Sequence, residues 1–277
     1  MAVSKLQTLR AAAWLGWQID ANWTDLFVFA TYTIIRPVFG MLTFAFMYFA
    51  ASAAGPPSPE KLAYLLVGNS LFNYAANAIF SSFFAVHEDR EHYAMTRSLS
   101  IAPSDFTLYY LGRIAAPLLF SSTISVIVNL GIGVFLLGVK LSPSLWTLAS
   151  LAFYIPVIGL GFVGFALIIG GVGFFTSRYV WGLIDGITGL SLLLGGVLYP
   201  ATVLPVQINW FSSFVPWTYW IEMLRSAIVG NMADLSLTFQ IVGIGFSLLF
   251  LGLGIYFFNW SVNRAKRLGT LDMVISW

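Results

Sequence analysis

Residues 87–92 read His-Glu-Asp-Arg-Glu-His, and they lie between two long apolar runs. This stretch holds both histidines and three of the eleven acidic residues, whereas only 9% of the whole chain is charged. Because charged groups are costly in hydrocarbon, we expect the stretch to face water at one end of a helical bundle. The apolar runs on either side of it then become candidate membrane spans.

The composition is typical of a helical membrane protein. Hydrophobic residues make up 59% of the 277 residues, and the mean hydropathy is +0.86. Several apolar runs exceed the roughly 20 residues that a helix needs to cross a bilayer, and they lack the alternation of barrel strands. The sequence has no cysteine for a disulfide or thiolate metal site, and its net charge of +2 gives no argument for nucleic acid. We therefore predict an all-α polytopic membrane protein.

The apolar runs predict six spans in one transmembrane domain that covers residues 1–277. Residues 1–35 mix polar side chains with tryptophans, a pattern that favours an amphipathic helix in the membrane interface. Arg36-Pro37 is expected to open the first span, because proline is favoured in the first turn of a helix. The predicted spans are residues 37–54, 62–86, 108–138, 145–175, 180–198 and 235–260.

Residues 199–230 are interrupted by prolines, and we interpret them as a re-entrant helical hairpin on the outer side. Trp210, Trp217 and Trp220 are interpreted as interfacial anchors. Glu222 and Arg225 are three residues apart and can pair across one helical turn. The residues expected to build this outer gate are Tyr199, Pro200, Pro205, Trp210, Pro216, Tyr219, Glu222 and Arg225.

Six spans place both termini on the same side of the membrane, and the basic residues indicate which side. Nine lysines and arginines share the side of the termini, three fall on the other side, and Arg36 lies at the boundary. By the positive-inside rule, the termini and residues 87–107 are cytoplasmic, in a plasma (inner) membrane. The nine are Lys5, Arg10, Arg90, Arg97, Arg113, Arg178, Arg264, Lys266 and Arg267, and the three are Lys61, Lys140 and Arg225.

Patterns for catalysis or cofactor binding are weak in this chain. His87 and Glu91 share a helical face, but Glu91 stands where a zinc site of this spacing needs a second histidine, and His92 points elsewhere. No Gly-x-x-x-x-Gly-Lys-Ser/Thr run occurs, so the chain cannot hold ATP phosphates in the P-loop manner. We expect no catalytic site, metal or cofactor in the chain itself.

Two polar features lie within the predicted spans. Amides and serine between residues 69 and 77 share a helical face, and we expect them to bond to neighbouring helices rather than to a ligand. Asp185 is an intramembrane carboxylate, which makes it a functional candidate by default. Its position near Arg178 favours a structural pairing instead.

Two groups of motifs resemble the permease subunit of a type-2 ABC transporter, the family of drug and polysaccharide exporters. Ala102-Pro103 stands where the family usually has Ser-Pro, and Val215 where it has Asn. The first group is Glu88-Asp89-Arg90-Glu91 with Arg97, Ile101-Ala102-Pro103-Ser104 and Leu111-Gly112-Arg113. The second group is Gly195-Gly196-x-x-Tyr199-Pro200, Leu204-Pro205, Trp210, Pro216-x-Thr218-Tyr219 and Leu224-Arg225.

The resemblance implies partners for the chain. Members of this family pair two permeases, identical or homologous, with two separate ATP-binding subunits that carry ATP and Mg. Closure of the ATPase dimer moves a cytoplasmic coupling helix, here residues 87–107, and the helix in residues 1–35 would cradle the ATPase. The residues implied in ATPase coupling are Glu88, Asp89, Arg90, Glu91, Arg97 and Pro103. The first and fifth spans would form the permease seam, where Gly182, Gly186 and Gly189 allow close approach.

The expected function is ATP-driven export of an amphipathic or lipophilic small molecule, such as a drug, an antibiotic or a lipid-like compound. A lipid-linked polysaccharide or glycolipid is the alternative cargo, since aromatic residues, 17% of the chain, can stack on sugar rings. A rival of another class is an ATP-independent secondary transporter or channel, which predicts repeated halves that the sequence does not show. An intramembrane enzyme would need clustered ionisable residues within the spans, and Asp185 alone is too little.

Overall fold

The computed structural model describes residues 4–21, 26–52, 58–102, 105–139, 141, 145–175, 180–200, 203–229 and 235–271. Every regular element in these ranges is helical, which confirms the all-α prediction. Two π-helical turns, Thr31–Ile35 and Glu88–His92, interrupt longer helical segments. The α-helices are α1 Lys5–Ala21, α2 Leu26–Ala30, α3 Arg36–Ala51, α4 Pro59–His87, α5 Thr96–Ile101, α6 Phe106–Phe135, α7 Leu145–Gly173, α8 Val180–Leu194, α9 Val206–Ser212, α10 Pro216–Val229 and α11 Leu237–Leu268.

Among the described residues, four helical segments are long and apolar enough to cross a bilayer. They are Phe27–Ala51, Phe106–Phe135, Leu145–Gly173 and Leu237–Leu268. These segments correspond to the predicted first, third, fourth and sixth spans, although the last one continues beyond residue 260. The predicted second and fifth spans are helical but do not meet the same criteria, so the count of six crossings stays a prediction.

The first apolar helix begins about ten residues before the predicted start at Pro37. Helix α2, the π turn and α3 form one continuous helical segment, so Arg36-Pro37 lies inside the helix rather than at its first turn. A proline inside a helix lacks the N–H that would bond one turn back, and its ring crowds that turn. The wider π turn Thr31–Ile35 ends two residues before Pro37, and the N–H of Arg36 bonds to the carbonyl oxygen of Thr31 across it.

Helix α4 occupies the centre of the bundle, where it packs against α3, α6, α7, α8 and α10. Its 29 residues span about 44 Å, which is enough to cross a bilayer, but polar side chains lower its hydropathy. Asn77 donates a hydrogen bond to the Ser122 hydroxyl at 2.9 Å, and the Tyr74 and Thr123 hydroxyls lie 2.6 Å apart. The prediction that this face bonds to a neighbouring helix is therefore confirmed at Asn77.

Helices α7 and α11 approach each other closely because glycines face the contact. A Cβ on Gly164 would collide with the backbone of Phe250 and Leu251, and one on Gly254 would collide with the Gly164 carbonyl. Such contacts between small residues let backbones approach within a bilayer. An aromatic core fills the adjacent space, with members that include Tyr110, Phe162, Phe174, Trp220 and Phe258.

Helix α8 and the two helices after it complete the bundle. At 15 residues, α8 reaches only about 22 Å, short of a full crossing without the residues that follow it. The segment predicted to be a re-entrant hairpin contains α9 and α10, and α10 packs against α4, α7 and α11. Trp217 and Trp220 are buried and donate to the carbonyls of Ser191 and Gly243, so the prediction that they are interfacial anchors is wrong. Trp210 is 61% exposed.

Candidate functional site

The charged stretch after α4 folds inward onto α6 rather than outward into water. Arg113 donates from Nη2 to the Glu88 carboxylate at 2.8 Å, and its Nε lies 3.6 Å from Asp89. The Tyr109 hydroxyl donates to the other oxygen of Asp89 at 3.0 Å. Asp89 is 0% exposed and Arg113 is 4% exposed. The buried Arg113 guanidinium therefore pairs with two carboxylates.

Arg90 ties the same π turn to the end of α7. Its side chain is buried, and Nη1 donates to the carbonyl oxygen of Gly173 at 3.2 Å. Its Nη2 donates to Glu91 at 3.1 Å, and Glu91 lies 3.5 Å from His87 Nδ1. The sequence motif of His87 and Glu91 thus serves an internal contact. We refer to Glu88, Asp89, Arg90, Glu91 and Arg113 as the Arg113 cluster.

The expectation that residues 87–92 face water is wrong for Asp89 and Arg90. Burial raises the pKa of Asp89 above its usual range, and the nearby Arg113 guanidinium only partly opposes this shift. Burial likewise raises the pKa of Glu88, again against the attraction of Arg113. A buried ion pair of this kind loses much of its Coulomb attraction to desolvation, but removing one partner is costly.

The surface that protrudes is the short helix α5, which follows the Arg113 cluster. Ala94 adopts a left-handed conformation with φ of 50°, uncommon for a residue with a Cβ, in the short link between the π turn and α5. In α5, Thr96 is buried, whereas Arg97 is exposed and Ile101 is 82% exposed. Of the predicted coupling residues, Arg97 faces outward, and Pro103 lies outside the described residues.

A second buried ionic group lies at the opposite end of α4. Arg225 is 2% exposed and pairs through Nη1 with Glu222, which confirms the predicted i,i+3 pair. Its Nη2 donates to the carbonyl oxygens of Gly196 and Val197 at 3.0 and 2.9 Å. The guanidinium lies 3.5 Å from the centre of the Tyr64 ring, a cation–π contact. We refer to Tyr64, Glu222 and Arg225 as the Arg225 cluster.

The other predicted gate residues shape the turns around α9 and α10. Pro205 occupies the N-cap of α9 and Pro216 begins α10. The Tyr199 hydroxyl donates to the Leu193 carbonyl at 3.0 Å, and the Tyr219 hydroxyl donates to the Ser213 carbonyl at 3.0 Å. Trp210 packs edge-on against the rings of Phe211 and Phe214, while Pro200 is exposed at the end of the segment that follows α8.

The separation of the two clusters matches a membrane. From Tyr64 to Glu88, helix α4 rises by about 36 Å, compared with about 30 Å for a hydrocarbon core. Ionised groups avoid hydrocarbon, so a helix with one buried ionic cluster at each end and only neutral side chains between them suits a crossing. The clusters also join different elements, since one connects α4 to α6 and α7, and the other connects α4 to α10 and the segment after α8.

The proposed seam glycines lie on a face of α8 that no described residue covers. A Cβ added at Gly182, Gly186 or Gly189 would meet no heavy atom within 4 Å. Asp185 is exposed on the same helix. Its expected partner, Arg178, lies outside the described residues.

Sequence reasoning missed two features of these contacts. The first is the contact of Tyr64 with Arg225. The sequence signal for it is Gly68, one turn after Tyr64, because a Cβ there would collide with Arg225 and the Val197 carbonyl. The second feature is the face by which α1 packs on α6. Thr8, Ala12 and Gly16 are buried and recur every four residues, which is a small-residue stripe visible in the sequence.

Comparison with known proteins gives one family. A family model described as "ABC-2 type transporter" matches residues 9–229 of this chain. The matched range includes both ionic clusters, helix α5 and helices α2 to α10. A search of the curated proteins finds no match.

Proposed function

Because this chain belongs to the ABC-2 type transporter family, we propose that it is the permease subunit of an ATP-driven exporter. It moves an amphipathic or lipophilic small molecule outward, and a separate ATP-binding subunit that holds ATP and Mg supplies the energy. The family match over residues 9–229, with helices apolar enough to cross a bilayer, carries this proposal. As a transport component, the chain contributes a path rather than a catalytic site.

Helix α5 is the docking surface for the ATP-binding subunit in this proposal. It presents an apolar side chain, Ile101, beside a cation, Arg97, and both are exposed. Such a combination suits a partner interface, where an aliphatic anchor supplies affinity and a charge supplies specificity. The predicted coupling residues Glu88 to Glu91 then act indirectly, because they position the turn before α5 and do not contact the partner.

The Arg113 cluster ties the π turn that precedes α5 to two long helices. Its hydrogen bonds join the π turn to α6 through Arg113 and to α7 through the Gly173 carbonyl. A displacement of α5 by the partner would therefore move the ends of three long helices together. Because α4 carries the Arg225 cluster at its other end, the same motion reaches the predicted outer gate at Glu222 and Arg225.

The topology in this proposal has six crossings with both termini cytoplasmic in a plasma membrane. Helix α4 supplies the second crossing, which the spacing of its two clusters supports. Helix α8 and the residues after it supply the fifth, and α9 and α10 form the re-entrant hairpin. The open face of α8 at Gly182, Gly186 and Gly189 meets a second permease, and two ATP-binding subunits complete the assembly.

The docking surface is tested with matched surface variants. Ile101→Glu places a charge on α5, and Val206→Glu makes the matched change on α9; the two side chains are 82% and 83% exposed. Each variant is co-expressed with an ATP-binding subunit and purified through a tag on the permease. Burial of one aliphatic side chain is worth about 1.5–3 kcal/mol, so we expect Ile101→Glu to lower recovery of the subunit at least tenfold.

Val206→Glu is expected to leave recovery of the ATP-binding subunit unchanged. Both variants should keep the melting temperature of the wild type, since neither side chain is buried. Unchanged recovery with Ile101→Glu would contradict the docking assignment. Equal losses in both variants would place the contact elsewhere or show a general effect of added charge.

A further inference from the structure

A groove of about 850 Å³ runs along the outside of α1 where this helix packs on α6. At one end it is lined by Gln7 and Arg10, and at the other by Trp14, Trp17 and Phe120. Polar atoms form only a small part of the lining. The groove therefore has a cation and an amide at one end and aromatic rings at the other.

The groove is preformed because α1 and α6 are in backbone contact. A Cβ on Gly112 would lie 2.6 Å from the Leu9 carbonyl oxygen, and one on Gly16 would lie 2.5 Å from the Arg113 carbonyl oxygen. Trp17 packs edge-on against Phe120 with ring centroids 5.5 Å apart. The two helices thus run side by side, and the walls of the groove are fixed by contacts that leave no room for a further methyl group.

The polar end of the groove lies level with the start of α6 and the Arg113 cluster, where a bilayer around the apolar part of α6 would begin. Leu9 contacts Gly112, so its neighbour Arg10 is level with the start of the apolar part of α6. Trp17 and Phe120 lie about 12 Å further along α6, at the rise of an α-helix. The Arg10 guanidinium therefore lines the end of the groove near the boundary, and the rings of Trp17 and Phe120 line the part beside the apolar section of α6.

Among the described residues, Arg10 is a cation without an acidic partner. Its side chain is exposed, and no described residue forms an ion pair or hydrogen bond with it. A guanidinium binds a phosphate through two parallel hydrogen bonds, and an anionic leaflet attracts each such cation. Tryptophan rings are favoured near the boundary between headgroups and hydrocarbon, where their apolar faces meet the upper part of acyl chains.

We propose that this groove binds an anionic phospholipid of the surrounding bilayer. The lipid phosphate lies against Arg10 and Gln7, and one acyl chain lies along Trp14, Trp17 and Phe120. The bound lipid fills the outer side of the contact between α1 and α6, and so holds α1 in place beside the Arg113 cluster. This inference requires only that the chain spans a membrane, and it does not depend on the export activity or on the ATP-binding subunit.

The test uses the full-length chain purified in maltoside detergent and stripped of lipid. Phosphatidylglycerol or phosphatidylcholine with identical acyl chains is added back, and the retained lipid is counted by native mass spectrometry while the melting temperature is recorded. The variants are Arg10→Gln, Trp14→Ala and, as a control cation outside the groove on the same helix, Lys5→Gln. All four proteins should fold, since these side chains lie on the exposed part of α1.

The wild type is expected to retain phosphatidylglycerol about fivefold more tightly than phosphatidylcholine, the factor for one cation at an anionic surface. Arg10→Gln should remove this preference, and Lys5→Gln should keep it. Trp14→Ala should weaken both lipids alike because it shortens the apolar wall. Equal retention of the two lipids by the wild type would overturn the proposal, and so would equal losses in Arg10→Gln and Lys5→Gln. The proposal also fails if Arg10→Gln keeps the preference for phosphatidylglycerol, because Arg10 would then not bind the lipid phosphate.

Discussion

Replacing Arg113 with leucine tests the physical role of the Arg113 cluster. In the native protein this guanidinium is the partner of Glu88 at 2.8 Å and lies 3.6 Å from Asp89. Arg113→Leu keeps an apolar side chain of similar reach but removes the positive charge. Both carboxylates would then remain without their cation, and Asp89, which is 0% exposed, would keep the Tyr109 hydroxyl as a hydrogen-bond donor.

The expected loss in the free energy of unfolding is about 3–5 kcal/mol at neutral pH, the range for breaking a buried ion pair by removing one partner. Most of this loss arises at Asp89, because Glu88 keeps 13% side-chain exposure and can recruit water. The charge-neutral triple variant Glu88→Gln, Asp89→Asn, Arg113→Leu should recover most of the lost stability. A buried ion pair and its neutral replacement often differ little in stability.

The loss is expected to depend on pH in a defined direction. Burial raises the pKa of Glu88 and Asp89 in the native protein above that of the unfolded chain. For an acid with a raised native pKa, the contribution to stability is greatest below the unfolded pKa, near 4, and falls as the pH rises through the native pKa. Removing Arg113 raises both native pKa values further. The Arg113→Leu penalty should therefore be largest near pH 8 and should shrink toward pH 5.

The assay is unfolding in mixed micelles, followed by circular dichroism at pH 5 and pH 8, for the wild type, the single variant and the triple variant. A penalty below about 1 kcal/mol at pH 8 would show that the carboxylates do not depend on Arg113. An equal penalty at both pH values would show that lost packing, and not orphaned charge, destabilises the variant.

Two further changes test buried contacts within the bundle. Gly68→Ala should lower the free energy of unfolding by about 1–3 kcal/mol, because its Cβ would collide with Arg225. The control Gly131→Ala should be neutral, because its Cβ would meet open space. Equal effects of the two changes in a thermal melt would contradict the contact at Gly68. Asn129→Leu should raise stability by about 1 kcal/mol, since both polar atoms of this buried amide lack a partner among the described residues. Asn77→Leu should instead lower stability because it leaves a buried hydroxyl unpaired, and a similar loss at both positions would show that Asn129 has a partner.

The helices and the local pairs of this protein could be predicted from its sequence. Long apolar runs have few alternatives to a helix in a bilayer, because every backbone polar group must be bonded within the segment. The Glu222–Arg225 pair was predictable for a similar reason, since residues three apart on a helix are neighbours. Both inferences depend on interactions within a single segment.

The inward turn of the charged stretch could not be predicted in this way. Asp89 and Arg90 are buried because their partners, Arg113 and the Gly173 carbonyl, come from α6 and α7, which are distant in sequence. The predicted second span, α4, has a lowered hydropathy because its amides count as exposed to lipid, although Asn77 bonds to Ser122. The early start of the first helix depended on a π turn that the motif Arg36-Pro37 does not reveal.

The most direct test of the central claim is transport by the purified chain in sealed liposomes, with and without its ATP-binding subunit. A fluorescent amphipathic cation serves as the cargo, and its movement is followed with ATP, without nucleotide and with a non-hydrolysable analogue. The proposed function predicts movement only when the subunit and ATP are both present, and a loss of this movement in Ile101→Glu. Movement of the dye by the permease alone, without nucleotide, would contradict it.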